Sequence, residues 1–264
     1  MPDTPPIVLT IAGFDPSSGA GVTADIKTIA AHGCYGVAAI TALTIQSTTG
    51  VRRVAAVDPQ ALTDSLEELR RDVKVSAVHI GMLGSGEAAS RVADFLIQES
   101  LPNVVLDPVL RSSSGANLLD EAGVRVLTQR LIPLADVITP NIAEAEALTG
   151  CKARDLEQMK AAARRLHEMK AKAVVVTGGH LDSAIDVLSI DRDVKVFRAG
   201  RVESNNTHGT GCAFSTAMAC QLALGRSLPE AVLLAKAYVL SAIKNSYSIG
   251  KGTGPVNHIF GFEP

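Results

Sequence analysis

The sequence predicts an α/β fold in which a mainly parallel central sheet is covered by helices on both faces. Short runs rich in Val and Ile alternate with longer segments of helical period, which is typical of strands joined by helices. Some runs, such as AVVVT, are apolar at every position, as strands buried on both faces require. Small or polar residues follow five of these runs, and in open α/β sheets the ligand lies at that carboxyl edge.

The elements follow one another along the whole chain. Two segments, residues 60–73 and 157–170, repeat apolar side chains at spacings of three and four, which predicts amphipathic helices. Residues 213–224 are almost purely small and apolar, which predicts a helix buried along its length. No internal repeat or flexible linker occurs, so we expect a single domain over residues 1–264. The predicted strands are residues 7–12, 77–80, 104–106, 137–139, 173–177 and 185–190, with a short, charged edge strand at 195–201.

The composition is that of an ordinary globular protein, with 47% hydrophobic and 20% charged residues. The net charge is −2 and only 3% of residues are aromatic, so we expect no nucleic-acid partner. No apolar run reaches the roughly 18 residues of a membrane span, so no membrane partner is expected either. The N-terminus lacks a secretory signal and the four cysteines lack C-x-x-C spacing, which favours a cytoplasmic enzyme with reduced thiols.

The segment HGTGCAF ends a loop of small residues at the start of the apolar helix. The first N–H groups of a helix lack partners within it and carry partial positive charge, so Gly209, Thr210 and Gly211 can bind a phosphate. The same pattern fits a glycine turn into a core helix, with Thr210 or Ser204 as the cap. The chain has neither a G-x-x-x-x-G-K-[ST] phosphate-binding loop nor a G-x-G-x-x-G dinucleotide-binding motif after the first strand. A nucleotide would therefore have to bind through a different type of site.

Acidic side chains follow two other strands. Asp107 ends one strand, and Asn141 and Glu144 are spaced i and i+3 on one face of the first turn of a helix. Carboxylate oxygens are typical ligands of Mg²⁺ beside phosphates. The alternatives are a strand-end turn at Asp107 and an N-terminal capping box formed by Asn141 and Glu144.

Three further side chains suit either a flat heteroaromatic ligand or a plain structural role. Gln46 can offer a donor and an acceptor to a ring edge, and Met82 can lie against a ring face. Asp25 lies on the helix that follows a glycine-rich loop. A turn glutamine, a core methionine and a surface aspartate are the alternatives.

Eight segments in chain order match one family and span nearly the whole chain. They are TIAGFDPSSGAGVTADIKT, YGVAAITALTIQST, IGML, LDPV, TPNIAEAEALTG, TGGH, NNTHGTGCAFSTAMA and IGKGTGPVNH. Through them the chain resembles the hydroxymethylpyrimidine/phosphomethylpyrimidine kinases of thiamine biosynthesis. The resemblance implies the three-layer ribokinase-like fold. It also implies two ATP-dependent phosphorylations, of 4-amino-5-hydroxymethyl-2-methylpyrimidine and then of its monophosphate to the pyrophosphate.

The resemblance further implies a role for each matching residue, and a homodimer. The substrate would contact Gln46, Asp25, Gly13, Met82 and Val109. ATP would lie near Thr177, Gly178, Gly179, Asn141 and His208. Asp107 and Glu144 would face Mg²⁺ and the phosphates. Gly209, Thr210 and Gly211, with Cys212, would form the anion hole. Cys212 would take the position where most ribokinase-like enzymes carry an aspartate base.

Cys212 therefore has two interpretations. A helix N-terminus favours a thiolate, so we expect its pKa to fall, and the thiolate could accept the proton of the attacking hydroxyl. The second phosphorylation starts from an anionic phosphate oxygen that needs no base, so Cys212 would matter more for the first. Alternatively, Cys212 only fills space beside the anion hole.

The chain departs from the family pattern at four positions. Phe14, Ser18 and Ser47 stand where the family often has Ser, Gly and Asn, and Ser113 where many members have Lys or Thr. The first three would crowd the substrate pocket and so bear on substrate preference. A pyridoxal kinase on the same frame is the runner-up, because those relatives carry much the same glycine-rich and G-T-G-C blocks and both substrates are flat hydroxymethyl heteroaromatics. Gln46 favours the pyrimidine, whose ring nitrogen and amino group it can read together. A ligand-binding regulatory domain would show damage in the anion hole or the acidic residues, and these are intact.

Overall fold

The computed structural model describes residues 4–179, 184–191 and 193–262. Within these ranges nine strands form one sheet in the order β3-β2-β1-β4-β5-β6-β7-β8-β9. The strands from β2 to β7 pair in parallel, whereas the pairs β2–β3, β7–β8 and β8–β9 are antiparallel. The strands are β1 Ile7–Phe14, β2 Tyr35–Ser47, β3 Gly50–Ala56, β4 Val75–Ile80, β5 Val104–Leu106, β6 Val137–Ile138, β7 Ala173–Gly178, β8 Ala184–Ile190 and β9 Asp193–Ala199.

Helices cover both faces of this sheet, as predicted. They are α1 Gly21–Ala31, α2 Pro59–Asp72, α3 Gly86–Glu99, α4 Glu121–Val126, α5 Ile132–Leu134, α6 Ile142–Thr149, α7 Leu156–Glu168, α8 Thr210–Ala223 and α9 Leu228–Lys244, with a π-helical turn Leu127–Leu131 between α4 and α5. One apolar core packs α2, α3, α6 and α7 against the sheet, and the other packs α1, α8 and α9. Alternate side chains of β1 enter the two cores, Leu9 the first and Val8 the second.

Local sequence explains where the helices begin. The side chains of Asp58, Ser85 and Asp155 accept backbone N–H groups in the first turns of α2, α3 and α7. The amphipathic helices predicted over residues 60–73 and 157–170 are α2 and α7, shifted by one or two residues. The periodic apolar face therefore located these helices, and the capping residues set their starts.

Two strands were missed, and one edge was placed correctly. β2 and β3 form an antiparallel hairpin at one edge of the sheet, with Leu43 and Ile45 of β2 exposed to solvent. A half-exposed strand of mixed composition lacks the continuous apolar run that marks the central strands. At the opposite edge, β9 confirms the predicted charged edge strand.

Helix α8 corresponds to the helix predicted to be buried over residues 213–224, and the structure confirms the burial except at its C-terminal end, where Leu224 is exposed. Its residues from Ala213 to Cys220 are all buried. It packs against α1 and α9 and against the strands β1, β4 and β5. Because it is enclosed, its N-terminal end is held firmly at the edge of the sheet.

Among the described residues, no helix combines the length and the apolar character that crossing a bilayer requires. All four cysteines are free thiols.

Candidate active site

The N-terminus of α8 lies at the carboxyl edge of the sheet, against the loop that follows β1. Gly209 is the N-cap and has a left-handed backbone with φ of +84°. A side chain there would overlap the carbonyl oxygen of Gly19, so the close approach requires glycine. No side chain among the described residues caps the helix. The alternative with Thr210 or Ser204 as a cap is therefore wrong, and the first turn keeps N–H groups for a ligand.

Asp15 organises the loop after β1, and sequence reasoning missed it. Its Oδ1 accepts hydrogen bonds from the Ser17 N–H at 2.8 Å and hydroxyl at 2.7 Å. Its Oδ2 accepts from the N–H groups of Gly19 and Ala20 and from His208 Nε2 at 2.8 Å. Burial alone would raise the pKa of Asp15, but the bonds from His208 and Ser17 bring it below its ordinary value. Asp15 is thus an ionised anchor that ties the loop to His208.

Ser18, one of the departures from the family pattern, lies in this loop. Its backbone is left-handed, with φ of +59°. Glycine adopts that conformation without steric cost, which explains physically why glycine is common at the position. The Ser18 carbonyl accepts a hydrogen bond from Lys27 Nζ at 2.7 Å, which helps to hold the strained turn.

The side chain of Gln46 contacts His208. The Gln46 amide lies 3.1 Å from His208 Nε2 and 3.2 Å from the Thr44 hydroxyl. Because a carboxylate only accepts, His208 Nε2 carries the proton that it shares with Asp15. The amide oxygen of Gln46 therefore belongs on the His208 side and its NH₂ group on the Thr44 side. The second N–H of that NH₂ group is then available to a ligand.

His208 was expected near the nucleotide, and the structure places its side chain beside Gln46 and Asp15. It lies with Gln46 and Asp15 because its backbone pairs with the C-terminal segment, through the His208 N–H to the Gly254 carbonyl at 3.0 Å. That pairing turns the imidazole toward β2. His208 thus lies against Gln46, one of the residues predicted to contact the substrate.

A polar cavity of about 280 Å³ opens beside Gln46 and His208. Its walls come from the turn between β2 and β3, the loop after β5 and the C-terminal segment. They are rich in hydroxyl groups and include one cation, Lys251. The remaining lining residues are Ser47, Thr48, Thr49, Gly50, Val51, Ser112, Ser113, Ser114, Gly252 and Thr253. Hydroxyls and a cation suit a ligand that is polar or anionic.

Three of the other predicted substrate residues lie together. Met82 and Val109 pack in one small apolar cluster with Ala42 and Leu118. A side chain at Gly13 would come within 2.8 Å of Met82 Sδ, so glycine lets the sulfur approach the backbone. These residues form an apolar patch next to the ends of β1, β4 and β5.

Asp25 does not join them. It is fully buried, and both of its oxygens accept hydrogen bonds from protein hydroxyls, Thr10 at 2.6 Å and Thr216 at 2.9 Å. His79 Nδ1 lies 3.2 Å from the same carboxylate. The expectation that Asp25 is exposed or touches the substrate therefore does not fit this structure, because helix α1 turns its side chain into the core.

Asp107 and Glu144 form an acidic pair at the ends of β5 and β6. Asn141 and Glu144 make the capping box that the sequence allowed, with bonds of 2.9 and 3.0 Å. Burial and the nearby Asp107 charge raise the pKa of Glu144 to about 8. Burial raises the pKa of Asp107 to about 6, although His79 and Ser215 oppose the rise. Two carboxyl groups that repel each other in a buried site fit a cation.

Within the described ranges, no group of three or more acidic, His or Cys side chains could enclose a metal ion. A pair of carboxylates is nevertheless what Mg²⁺ commonly uses when phosphates supply its other ligands. The residues present therefore fit a metal that arrives with a phosphorylated ligand better than a permanent metal centre.

Cys212 is half-buried in the first turn of α8. The prediction that its pKa falls is wrong. Burial, together with the negative charges of Asp107 and Asp25, raises the pKa of Cys212 well above its ordinary value. The helix N-terminus favours a thiolate, but desolvation and the surrounding carboxylates outweigh it. Cys212 is a neutral thiol in this site.

The predicted nucleotide residues meet at the ends of β6 and β7. Asn141 bridges to Thr177, and the Thr177 N–H donates to the Pro140 carbonyl at 2.9 Å. The Gly178 N–H donates to Asp186 at 3.1 Å. A side chain at Gly179 would meet no atom of the described residues within 4 Å. The rest of the predicted loop, residues 180–182, lies outside the described residues.

Sequence reasoning missed His79 and Ser215 as well as Asp15. Asp15 directly follows a predicted strand, so its position alone could have marked it. His79 lies inside a strand and Ser215 inside a buried helix, where nothing in the local pattern distinguishes a functional side chain from a core residue.

The chain matches known proteins over most of its length. A model of the phosphomethylpyrimidine kinase family matches residues 15–257. The thiamine biosynthesis bifunctional protein ThiED of Geobacter sulfurreducens is 45% identical over 258 residues, 97% of this chain, which spans only 53% of that relative's length. The hydroxymethylpyrimidine/phosphomethylpyrimidine kinase of Haemophilus influenzae is 43% identical over 257 residues, 95% of this chain and 96% of that protein.

A solved structure shows the same fold. The pyridoxal kinase from Staphylococcus aureus, in complex with AMP-PCP and pyridoxal, has a TM-score of 0.89 and 32% identity, covering 97% of this chain and 94% of that one. The ribokinase-like expectation is thus confirmed for the fold. Since the family match extends over most of the chain and a full-length relative is 43% identical, the chain belongs to the phosphomethylpyrimidine kinase family.

Proposed function

We propose that this chain uses ATP to phosphorylate 4-amino-5-hydroxymethyl-2-methylpyrimidine and then converts the monophosphate to the pyrophosphate, in thiamine biosynthesis. The observation that carries the proposal is the uncapped N-terminus of α8, which opens beside Asp107. It directly follows His208, which lines the polar cavity with Gln46. A phosphate-binding helix end and a pocket for a polar ring are therefore contiguous.

The pyrimidine would lie between Gln46 and the apolar patch of Gly13, Met82 and Val109. A free N–H and a carbonyl oxygen on one amide suit a ring nitrogen and an exocyclic amino group. The Met82 thioether suits the face of a flat ring. This arrangement turns the hydroxymethyl group toward the phosphate-binding end of α8 in the proposed complex.

The transferred phosphate would lie on the N–H groups at the start of α8, from Gly209 to Cys212. Those donors are held in place by the buried helix, so they need no reorganisation as charge develops. ATP would approach from Thr177, Gly178 and Gly179, beside Asn141. The S. aureus pyridoxal kinase, solved with AMP-PCP, supports a nucleotide site in this fold.

Asp107 and Glu144 are the residues that would hold Mg²⁺. When bound, Mg²⁺ neutralises phosphate charge and aligns the phosphates for in-line transfer. The two carboxyl groups must lose their protons to bind it, and their raised pKa values make that loss part of binding.

Specificity is tested by comparing kcat/KM for the pyrimidine and for pyridoxal in the wild type and in Gln46→Leu. We expect the wild type to prefer the pyrimidine. The variant should lose roughly 10-fold to 100-fold of that preference, since an unpaired polar group costs about 1–3 kcal/mol. Gln60→Leu, on the exposed face of α2, is the control. A wild type that prefers pyridoxal would overturn the proposal.

A pyridoxal kinase remains the second candidate because of one observation. The S. aureus pyridoxal kinase covers 97% of this chain with a TM-score of 0.89. Both substrates are flat rings with a hydroxymethyl group, so the same phosphate site serves either. The Gln46 comparison separates the two candidates.

We also propose that the chain is a cytoplasmic homodimer. The side chains of Tyr35, Leu43 and Ile45 on β2 are exposed and apolar, and such surfaces often form interfaces between subunits. Light scattering after size exclusion should give twice the mass of one chain, 27.5 kDa each. The mass of one chain would contradict this part of the proposal.

A further inference from the structure

A connected group of polar side chains lies wholly inside the protein beneath the candidate site. Thr10 of β1, Asp25 of α1, His79 of β4, and Ser215 and Thr216 of α8 are all 0% exposed. Burying polar groups costs free energy unless their hydrogen bonds are satisfied. These five residues connect two strands and two helices through hydrogen bonds at one place in the interior.

The hydrogen bonds around Asp25 determine which atoms donate. The hydroxyls of Thr10 and Thr216 each have one hydrogen, and both hydrogens point to the Asp25 carboxylate. His79 Nδ1 lies 3.2 Å from that carboxylate and from both hydroxyl oxygens. Since those hydrogens are already committed, Nδ1 must be the donor. Asp25 therefore fixes the orientation of the His79 ring.

The other side of the ring points toward the candidate active site. His79 Nε2 lies 3.1 Å from the Ser215 hydroxyl. That hydroxyl is 3.2 Å from Asp107 Oδ2 and 2.9 Å from the Gly211 carbonyl oxygen. The hydroxyl has a third acceptor within reach, the Cys212 carbonyl oxygen at 3.2 Å. Its single hydrogen stays available to Asp107 and these two carbonyl oxygens when His79 Nε2 carries a hydrogen and donates to Ser215.

The charges on either side favour this arrangement. Burial lowers the pKa of His79, but Asp25 and Asp107 raise it above its ordinary value. A ring that donates from both nitrogens lets Ser215 hold Asp107. If His79 carried a hydrogen only on Nδ1, its Nε2 would instead accept the hydrogen of Ser215.

We propose that His79 is a positioning residue, held by Asp25, that acts through Ser215 to hold Asp107 and the first turn of α8 in place. This inference rests on the proposed function, since Asp107 is there assigned to the metal and phosphates. It also gives Asp25 a role without substrate contact. Residues that orient a metal ligand in this way commonly contribute about 10-fold to 100-fold to affinity or activity.

The first test uses Ser215→Ala and His79→Gln, with His167→Gln as the matched control. His167 also joins a helix to a serine on a strand, with Nε2 2.9 Å from the Ser189 hydroxyl, but it lies outside the site. We expect Ser215→Ala and His79→Gln to weaken the affinity for Mg²⁺ and to lower kcat, each by about 10-fold or more. KM for the pyrimidine should change less than about 3-fold. The double variant should lose no more than the more damaged single variant, because both break one chain of bonds.

Equal affinity of wild type and Ser215→Ala for Mg²⁺ with AMP-PCP would overturn the inference, and so would additive losses in the double variant. If His79→Gln does not fold, Ser215→Ala, which removes one oxygen, decides the question alone. Wild-type protein that binds Mg²⁺ and AMP-PCP but does not phosphorylate the pyrimidine would refute the proposed function without touching this inference.

A second readout needs no activity. Histidine ring ¹⁵N NMR of the wild type without ligands should show hydrogen on both nitrogens of His79. In Ser215→Ala the Nε2 signal should change, while the His167 signals stay as they are. A His79 ring with a bare Nε2 in the wild type would contradict the arrangement.

Discussion

Cys212 shows how a single residue depends on the charges around it. Buried carboxylates make it a neutral thiol here, so it can act as a base only when Mg²⁺ or a proton neutralises Asp107 and Glu144. We expect Cys212→Ala to slow phosphorylation of the hydroxymethyl group by about 100-fold or more, as loss of a general base does. The monophosphate, already anionic, should be affected much less.

The measurement is single-turnover kinetics for each step, with Cys220→Ala as the control. Cys220 lies on the same helix and is fully buried, away from the helix N-terminus. Equal losses in both steps would instead support the packing interpretation of Cys212.

Glu144 predicts a pH dependence of stability. Its folded-state pKa of about 8 lies above the ordinary value of 4.5. The folded state therefore binds more protons than the unfolded state between these values, and stability falls as pH rises through that window. Glu144→Gln keeps the capping box but cannot ionise. The variant should become more stable than the wild type by roughly 1 kcal/mol or more as pH rises to 8.

Urea unfolding at a series of pH values measures the difference in the free energy of unfolding between Glu144→Gln and the wild type. Glu157→Gln, at an exposed first-turn position of α7, is the matched control. Saturating Mg²⁺ should reduce the advantage of Glu144→Gln at pH 8, because the cation then compensates the wild-type carboxylate. A difference that stays constant with pH would refute the account of this acidic pair.

Individual site residues were predictable from the sequence when they directly follow an apolar run, because the ends of parallel strands lie at the ligand-binding edge of the sheet. Met82 and Asp107 follow predicted strands and Gln46 follows an apolar stretch, and the structure places all three near the carboxyl ends of strands. Asp25 was misplaced because a helix sequence does not reveal which acidic side chain turns inward. The contact of His208 with Gln46 was not predictable, because the orientation of His208 comes from pairing with Gly254, which is distant in sequence.

At the scale of elements, the start of α8 is the feature on which the site depends most. Gly209→Ala would force a side chain into the Gly19 carbonyl and strain a left-handed backbone. We expect kcat to fall by about 100-fold or more, since displaced anion-hole donors cost that much.

Gly225→Ala provides the matched control for this variant. Gly225 follows the other end of the same helix and is also left-handed, with φ of +79°, but a side chain there would meet no atom of the described residues within 4 Å. Its substitution should cost about 1 kcal/mol of stability and leave kcat unchanged. If steady-state kinetics show full activity for Gly209→Ala, the helix end is not the phosphate site.

The elements themselves were predicted unevenly, for physical reasons. The central strands and the middle of α8 are buried, so their composition alone marks them. The amphipathic faces of α2 and α7 are equally clear. The hairpin of β2 and β3 has one exposed face. Residues 35–48 were matched to the family, but neither strand was predicted.

At the scale of the whole molecule, one buried ion pair links the sheet to the last helix. Lys236 Nζ of α9 lies 2.6 Å from Asp186 of β8, and both side chains are under 10% exposed. Asp186 also accepts the Gly178 N–H near the proposed nucleotide site. Lys236→Met leaves that carboxylate buried without its partner, so we expect a loss of about 3–5 kcal/mol in the free energy of unfolding.

Chemical denaturation checks this value against Lys172→Met. Lys172 pairs with Asp136 at 2.8 Å on the surface, where such pairs contribute about 1 kcal/mol or less. Equal losses in the two variants would mean that the buried pair does not tie α9 to the sheet.

The central claim is that one cleft phosphorylates the same pyrimidine twice. The most direct test is ³¹P NMR of purified protein with Mg²⁺, ATP and 4-amino-5-hydroxymethyl-2-methylpyrimidine in one tube. We predict the resonance of a monophosphate ester first, followed by the two coupled resonances of a pyrophosphate ester. ATP that is left unconsumed with the pyrimidine, but is consumed when pyridoxal replaces it, would contradict the claim.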